Sequence, residues 1–232
     1  MISKIVKDLH DKARSEKAAI LQRFFKTAKG EYGEGDVFLG CTAPDCRIVV
    51  RKYSRAPLPV VQKLMMSKIH EHRLVGVLIL VEQFKRSHAS TRKTIFDFYL
   101  KNARAVNNWD LVDLSAPHIG QYLFDKDVRV LSKLAQSKNL WERRIAIMFT
   151  FAFIRQNRFN ETLRIAEFLL SDAHDLIHKA VGWMLREVGK RDLEAEEKFL
   201  KKHYKKMPAT MLRYAVEKFS EKKRKAYLKR LI

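Results

Sequence analysis

The sequence is poor in residues that break helices. It holds 8 glycines and 5 prolines in 232 residues. That is too few for the many tight turns of a β-sandwich or barrel, and it favours an all-helical chain. Cysteine is scarcer still, with only Cys41 and Cys46 present. Two thiols cannot build a disulfide framework, and no Cys-x-x-Cys spacing offers a zinc site. A reducing cytoplasm is the simplest setting. No apolar run is long enough to cross a bilayer; Leu74–Val81 is very apolar but short, and reads as the buried part of a helix. The start, Met1-Ile2-Ser3-Lys4, leads into charged residues without the apolar stretch of a signal peptide.

Acidic residues are also few for the size of the chain: 26 against 47 lysines and arginines, a net charge of +21. Such a field repels cations and speeds encounter with polyanions. Nucleic acid is the first partner it suggests and an anionic membrane surface the second. What the chain does have is apolar material, 47% of its residues. A buried core is therefore within reach and general disorder is excluded. The length suits one domain, residues 1–232, or one short solenoid.

Residues 1–27 read as helical, with apolar positions at helical spacing through Ala18, Leu21, Phe24 and Phe25. Four of the eight glycines then fall between Gly30 and Gly40, in the one long loop the sequence predicts. Thr42-Ala43-Pro44-Asp45 is a helix start: a capping hydroxyl, an early proline, an acid three residues on. A second break at Ala56-Pro57-Leu58-Pro59 starts another helix. Beyond residue 60 a cation or aromatic followed by an apolar run recurs at Arg73, Trp109, Arg144, Lys179 and Arg213, in steps of 36, 35, 35 and 34 residues. A period of this size with two helices per unit marks a helical solenoid, whose inner helices line one concave face.

On that overlay Trp109, Arg144, Lys179 and Arg213 occupy equivalent inner positions. Asp113 follows Trp109 by one helical turn, Trp183 follows Lys179 by one turn, and Arg186 continues the stripe. The patch holds two indoles, one carboxylate and several cations. Taken alone, Asp113 serves equally as an ion-pair partner or a cap, and tryptophans at helical spacing are commonly core. Together they suit one chemistry. When an N-glycosidic bond breaks, the deoxyribose becomes oxocarbenium-like. A carboxylate about 4 Å away then gains about 4 kcal/mol at an effective dielectric near 20, on the order of a thousandfold in rate if realised only at the transition state. The same carboxylate can orient water. Indoles attract a cationic purine and exclude water from Asp113. Arg144, Lys179, Arg186 and Arg213 read as phosphate ligands, supplying affinity without sequence preference. His174 and His178 have the spacing of a metal pair but no third and fourth ligand, so no metal is expected. The Gly30–Gly40 loop lacks the Gly-Lys-Ser/Thr that completes a P-loop.

Five stretches carry a resemblance. They are Arg23-Phe24-Phe25-Lys26; Gly30-Glu31-Tyr32-Gly33-Glu34-Gly35-Asp36 with Phe38-Leu39-Gly40; Asn108-Trp109-Asp110-Leu111-Val112-Asp113; Trp141-Glu142-Arg143-Arg144; and Lys179-Ala180-Val181-Gly182-Trp183-Met184-Leu185-Arg186-Glu187. Over nearly the whole chain, and in order, the sequence resembles the AlkD-type DNA alkylation-repair glycosylases. The resemblance implies an all-α fold, a right-handed α-solenoid of HEAT-like two-helix repeats with a concave DNA-binding face. It implies excision of positively charged N3- and N7-alkylated purines from double-stranded DNA, with no cofactor and without a base-flipping pocket. It gives Asp113 the task of stabilising the sugar cation and positioning water, Trp109 and Trp183 contacts with the deoxyribose, and Arg144 the nearby phosphate backbone. Where some members carry a tyrosine in the first helical region, this chain has Phe24. A monomer associated with the nucleoid in the cytoplasm is expected. The competing function is a non-catalytic solenoid that binds branched or distorted DNA; a scaffold for a protein partner suits the charge less well.

Overall fold

A computed structural model describes all 232 residues. The fold is all-α, as the shortage of turn residues predicts. The one piece of extended pairing is an isolated bridge between Val37 and Ile69. The chain divides into two compact units, Met1–Ile119 and Gly120–Ile232.

The first unit contains α1 (Ile2–His10), α2 (Ser15–Phe24), α3 (Ala43–Tyr53), α4 (Leu58–Met65), α5 (His70–Arg86), α6 (Ala89–Lys101) and α7 (Trp109–Ile119). The single helical segment expected over 1–27 is two helices. Arg14 is extended and donates its backbone N–H to Leu39 O at 2.9 Å, so a contact with the later loop breaks the helix. That loop is longer than the glycines suggested and runs from Phe25 to Cys41. Gly40 allows it to close: its φ is +84°, and a Cβ there would stand 2.1 Å from Arg14 O. Buried Glu71 fixes the same stretch by accepting the backbone N–H groups of Leu39, Gly40 and Cys41 at 2.9–3.1 Å. The start of α3 is the expected capping box. Thr42 Oγ1 accepts from Asp45 N, and the Asp45 carboxylate accepts from Thr42 N and its hydroxyl. Those bonds from Thr42 hold the Asp45 carboxyl down at about 2.

Helix α5 is the axis of this unit. Every residue from His70 to Val81 is buried, and α3, α4, α6 and α7 pack around it. Each fully buried Val, Leu or Ile contributes about 1.5–3 kcal/mol. The second unit contains α8 (Arg129–Ala135), α9 (Leu140–Phe149), α10 (Phe151–Ile154), α11 (Asn160–Phe168), α12 (Asp175–Gly189), α13 (Leu193–His203), α14 (Ala209–Ala215) and α15 (Glu221–Leu228). Its axis is α12, whose Ile177, Ala180, Val181, Met184, Leu185 and Val188 are fully buried against α9, α11, α13 and α14.

Hydrogen bonds set the register of the repeat. Arg73 donates to the carbonyl of Ser67, Arg143 to that of Ser137, and His178 to that of Asp172. In each case donor and acceptor are six residues apart, and the donors recur at multiples of 35. The equivalent positions are therefore 73, 143 and 178. The overlay drawn through Trp109, Arg144 and Lys179 had slipped by one residue, which is why its steps ran unevenly from 36 to 34. The slip arises because two nitrogen-bearing side chains adjoin at Arg143-Arg144 and again at His178-Lys179, and only the hydrogen bonding distinguishes them.

Candidate functional site

Trp109 is the first residue of α7, and its indole is held by rings from an earlier part of the chain. Phe25 stacks on it with centroids 5.2 Å apart and planes 17° apart. Phe24 meets it edge-on at 6.0 Å and remains 61% exposed. Phe25 in turn stacks on Phe38 at 5.0 Å, and Phe38 on His70 at 4.5 Å.

Beneath the rings lies a buried polar network. The Asp36 carboxylate, from the loop, faces Arg73 at 2.7 Å and His70 Nδ1 at 3.4 Å and accepts the Asn108 amide at 3.2 Å. The other ring nitrogen, His70 Nε2, donates to Asp110 at 2.8 Å. The Asn108 side-chain carbonyl takes the backbone N–H of Trp109 at 2.8 Å. Loop, α5 and the start of α7 are thus tied together beside Trp109, with the Phe25 ring between His70 and the indole. Burial works against charge on His70, yet Asp110 and Asp36 raise its pKa above the ordinary histidine value. Burial also opposes ionisation of Asp36, but His70, Arg73 and Asn108 together hold its carboxyl below the usual range. Charged hydrogen bonds of this kind are about twice as strong as neutral ones.

Asp113 is half-buried one turn along α7 from Trp109. It stands near Tyr99, whose hydroxyl bonds Ser115 at 2.8 Å; burial above all, and the charge of Asp113, push that phenol upward.

The other expected site residues belong to the second unit. Lys179, Trp183 and Arg186 follow one another along a single face of α12. Trp183 donates its indole N–H to Glu187 at 3.1 Å and meets Phe151 edge-on at 5.8 Å. Arg155 covers the same Phe151 ring at 4.4 Å, and burial together with neighbouring Arg191 lowers its pKa. Lys179 pairs with Asp175 at 2.6 Å, and Arg186 with Glu217. Arg213, on α14, is exposed. Arg144 is only 4% exposed and donates to the Leu176 carbonyl, so part of its guanidinium is spent joining α9 to α12. His174 and His178 serve the backbone: His174 Nδ1 accepts the Leu176 N–H and caps α12, while His178 donates to the Asp172 carbonyl.

The ring stack was half-legible, since Phe24, Phe25 and Phe38 lie in the stretches that carry the resemblance. The polar network was not legible as a network: Asp36, Asn108 and Asp110 lie in the same stretches, but nothing there pairs them with one another or with His70. The bonded pairs Asp36–His70, His70–Asp110 and Asp36–Asn108 lie 34, 40 and 72 residues apart, so no local spacing joins them. Glu187 was part of a recognised stretch without a role; its position four residues after Trp183 is the signal that places it under the indole N–H.

A sequence model of a family described as DNA alkylation repair enzyme matches residues 5–219. Among solved structures, the chain is similar to a predicted DNA alkylation repair enzyme from Enterococcus faecalis, with a TM-score of 0.71 and 15% identity over 90% of this chain and 98% of that one. It is also similar to smu.31 from Streptococcus mutans UA159, with a TM-score of 0.57 and 20% identity over 95% and 98% of the two chains. At these identities the likeness to the structures is one of fold. No curated protein matches the chain.

Proposed function

This chain belongs to the DNA alkylation repair enzyme family, and from that premise we propose that it is a DNA N-glycosylase that excises positively charged N3- and N7-alkylated purines from duplex DNA. The observation that carries the reading is on α7: a half-buried carboxylate, Asp113, one turn from an indole that a ring stack and a buried ionic network hold in place. Asp113 stabilises the oxocarbenium-like deoxyribose as the purine departs, and orients the water that attacks C1′. Trp109 presents its face to the electron-poor deoxyribose of the lesion. Trp183, braced by Glu187, is assigned a contact with deoxyribose in its own unit. Burial of the network matters because a preorganised indole adds no reorganisation cost at the moment of reaction. The reaction needs no flipped-base pocket under this scheme, because the protein's contacts fall on sugar and phosphate.

The phosphate ligands are assigned by availability. Arg213 is exposed and needs no rearrangement. Lys179 and Arg186 must exchange Asp175 and Glu217 for phosphate. Arg144 offers what the Leu176 carbonyl leaves over.

The test is base release from duplex DNA carrying N7-methylguanine, comparing wild type with Asp113→Asn. Wild type is expected to release the base, and the variant to be slower by about a thousandfold. Equal release by both would remove Asp113 from the mechanism. Tight binding by wild type without any release would leave a DNA-binding protein rather than a glycosylase.

A further inference from the structure

The turns between α4 and α5 and between α8 and α9 are two copies of one construction. The first reads Lys63-Leu64-Met65-Met66-Ser67-Lys68 and reaches Arg73; the second reads Lys133-Leu134-Ala135-Gln136-Ser137-Lys138 and reaches Arg143. In both, the serine hydroxyl accepts the backbone N–H two residues on, Ile69 at 3.1 Å and Asn139 at 3.0 Å. In both it also bonds the side chain five residues on, His72 or Glu142. In both the arginine clamps the serine carbonyl, at 2.9 and 3.0 Å. Buried, half-buried and exposed positions follow in the same order from 57 to 69 as from 127 to 139.

The lysines are the informative part. Lys63 and Lys68 match Lys133 and Lys138, and all four are exposed. No side-chain hydrogen bond or ion pair within the chain engages them, whereas other surface lysines such as Lys7, Lys52, Lys93 and Lys202 sit on carboxylates. The turn itself does not require them. A third copy keeps the same framework, with the Asp172 carboxylate accepting the His174 N–H at 2.8 Å and His178 bonded to the Asp172 carbonyl. It carries Phe168 and Ala173 where the other two carry lysine. Two cations kept at the same exposed places in two copies, unpaired and unnecessary to the fold, serve something outside the chain.

We propose that the α4–α5 and α8–α9 turns are twin phosphate grips, each holding the phosphodiester backbone of duplex DNA through its two lysines. A rigid turn suits this task, because the cations it offers are fixed at their roots before contact. The proposal rests on DNA being the partner and is independent of base excision.

The test is the salt dependence of binding to undamaged duplex DNA, by fluorescence anisotropy. One variant carries Lys63→Gln, Lys68→Gln, Lys133→Gln and Lys138→Gln. A control carries Lys4→Gln, Lys29→Gln, Lys101→Gln and Lys126→Gln, with the same change in net charge. Circular dichroism verifies that both fold. The turn variant is expected to flatten the plot of log K against log salt by about 3–4, and the control by about 1 or less. Each turn mutated alone should give about half the effect. A wild-type slope in the turn variant, or an equal change in both variants, overturns the proposal. So does an unchanged DNA slope with lost binding to phosphatidylserine vesicles, which would assign the turns to a membrane surface. If wild type releases no base yet the slopes separate as expected, the excision reading fails and the grips stand.

Discussion

Glu196, on α13, is 1% exposed, and its Oε1 has no hydrogen-bond partner. Burial pushes its carboxyl up to about 8, and the charge of Arg186 offsets that only in part. In the unfolded chain the same group titrates near the ordinary glutamate value of 4.5. Between those two values the folded protein holds a proton that the unfolded chain has released. Stability therefore falls as pH rises across that window, by up to about 1.4 kcal/mol per unit. His70 acts in the same direction: its folded pKa is raised, so its contribution is complete below the unfolded value and is lost as pH climbs through the folded one. Glu196→Gln removes the first effect alone. Urea melts should show the variant more stable than wild type at pH 8, on the order of 2–4 kcal/mol, and the two converging toward pH 4.5. Parallel stability curves for the two proteins would mean that Glu196 is ionised in the fold. Because Arg186 is an assigned phosphate ligand, the charge state of Glu196 also sets how strongly that cation is held from behind.

Two elements show how helix packing places a functional side chain. Helices α12 and α14 touch at Gly182, the residue before Trp183. A Cβ at position 182 would stand 2.4 Å from Met211 O and 2.5 Å from Tyr214 Cβ. Alanine is the better helix former by about 1 kcal/mol, but backbone cannot yield as a side-chain tip does, and the helices must part. Gly182→Ala is expected to lose about 1–3 kcal/mol, read as a lower urea midpoint with altered Trp183 fluorescence. A stabilised variant would show that α12 and α14 do not approach this closely. The same scale explains what the sequence revealed. The start of α3 was readable because its capping box is written in four consecutive residues, Thr42 to Asp45. The buried stretch of α5 was readable because Leu74–Val81 is apolar without a gap, and the 35-residue period because it is repeated. The break at Arg14 was not readable, since it depends on Leu39 O. The network beside Trp109 was not readable for the same reason. Asp36, His70 and Asp110 look like ordinary surface charges until folding brings them to one another.

For the molecule as a whole, the excess of 47 basic over 26 acidic residues costs stability through self-repulsion and is relieved by any polyanion that binds only the folded form. Two consequences can be separated by experiment. Added salt alone should raise the melting temperature, because it screens the repulsion among exposed cations. Undamaged duplex DNA at low salt should raise it further. At about one hundred times the dissociation constant, the linkage is worth about 2.7 kcal/mol. For a chain of this size that corresponds to roughly 5–10 °C. Raising the salt should erase the DNA-induced shift, since the same ions that screen the protein also compete for the phosphates. The two effects of salt thus have opposite signs on one thermogram, upward without DNA and downward in the increment that DNA adds. A DNA-induced shift that survived high salt would mean that the contact is carried by base or sugar rather than by charge. That result would move the weight of recognition from the lysines and Arg213 onto the rings around Trp109.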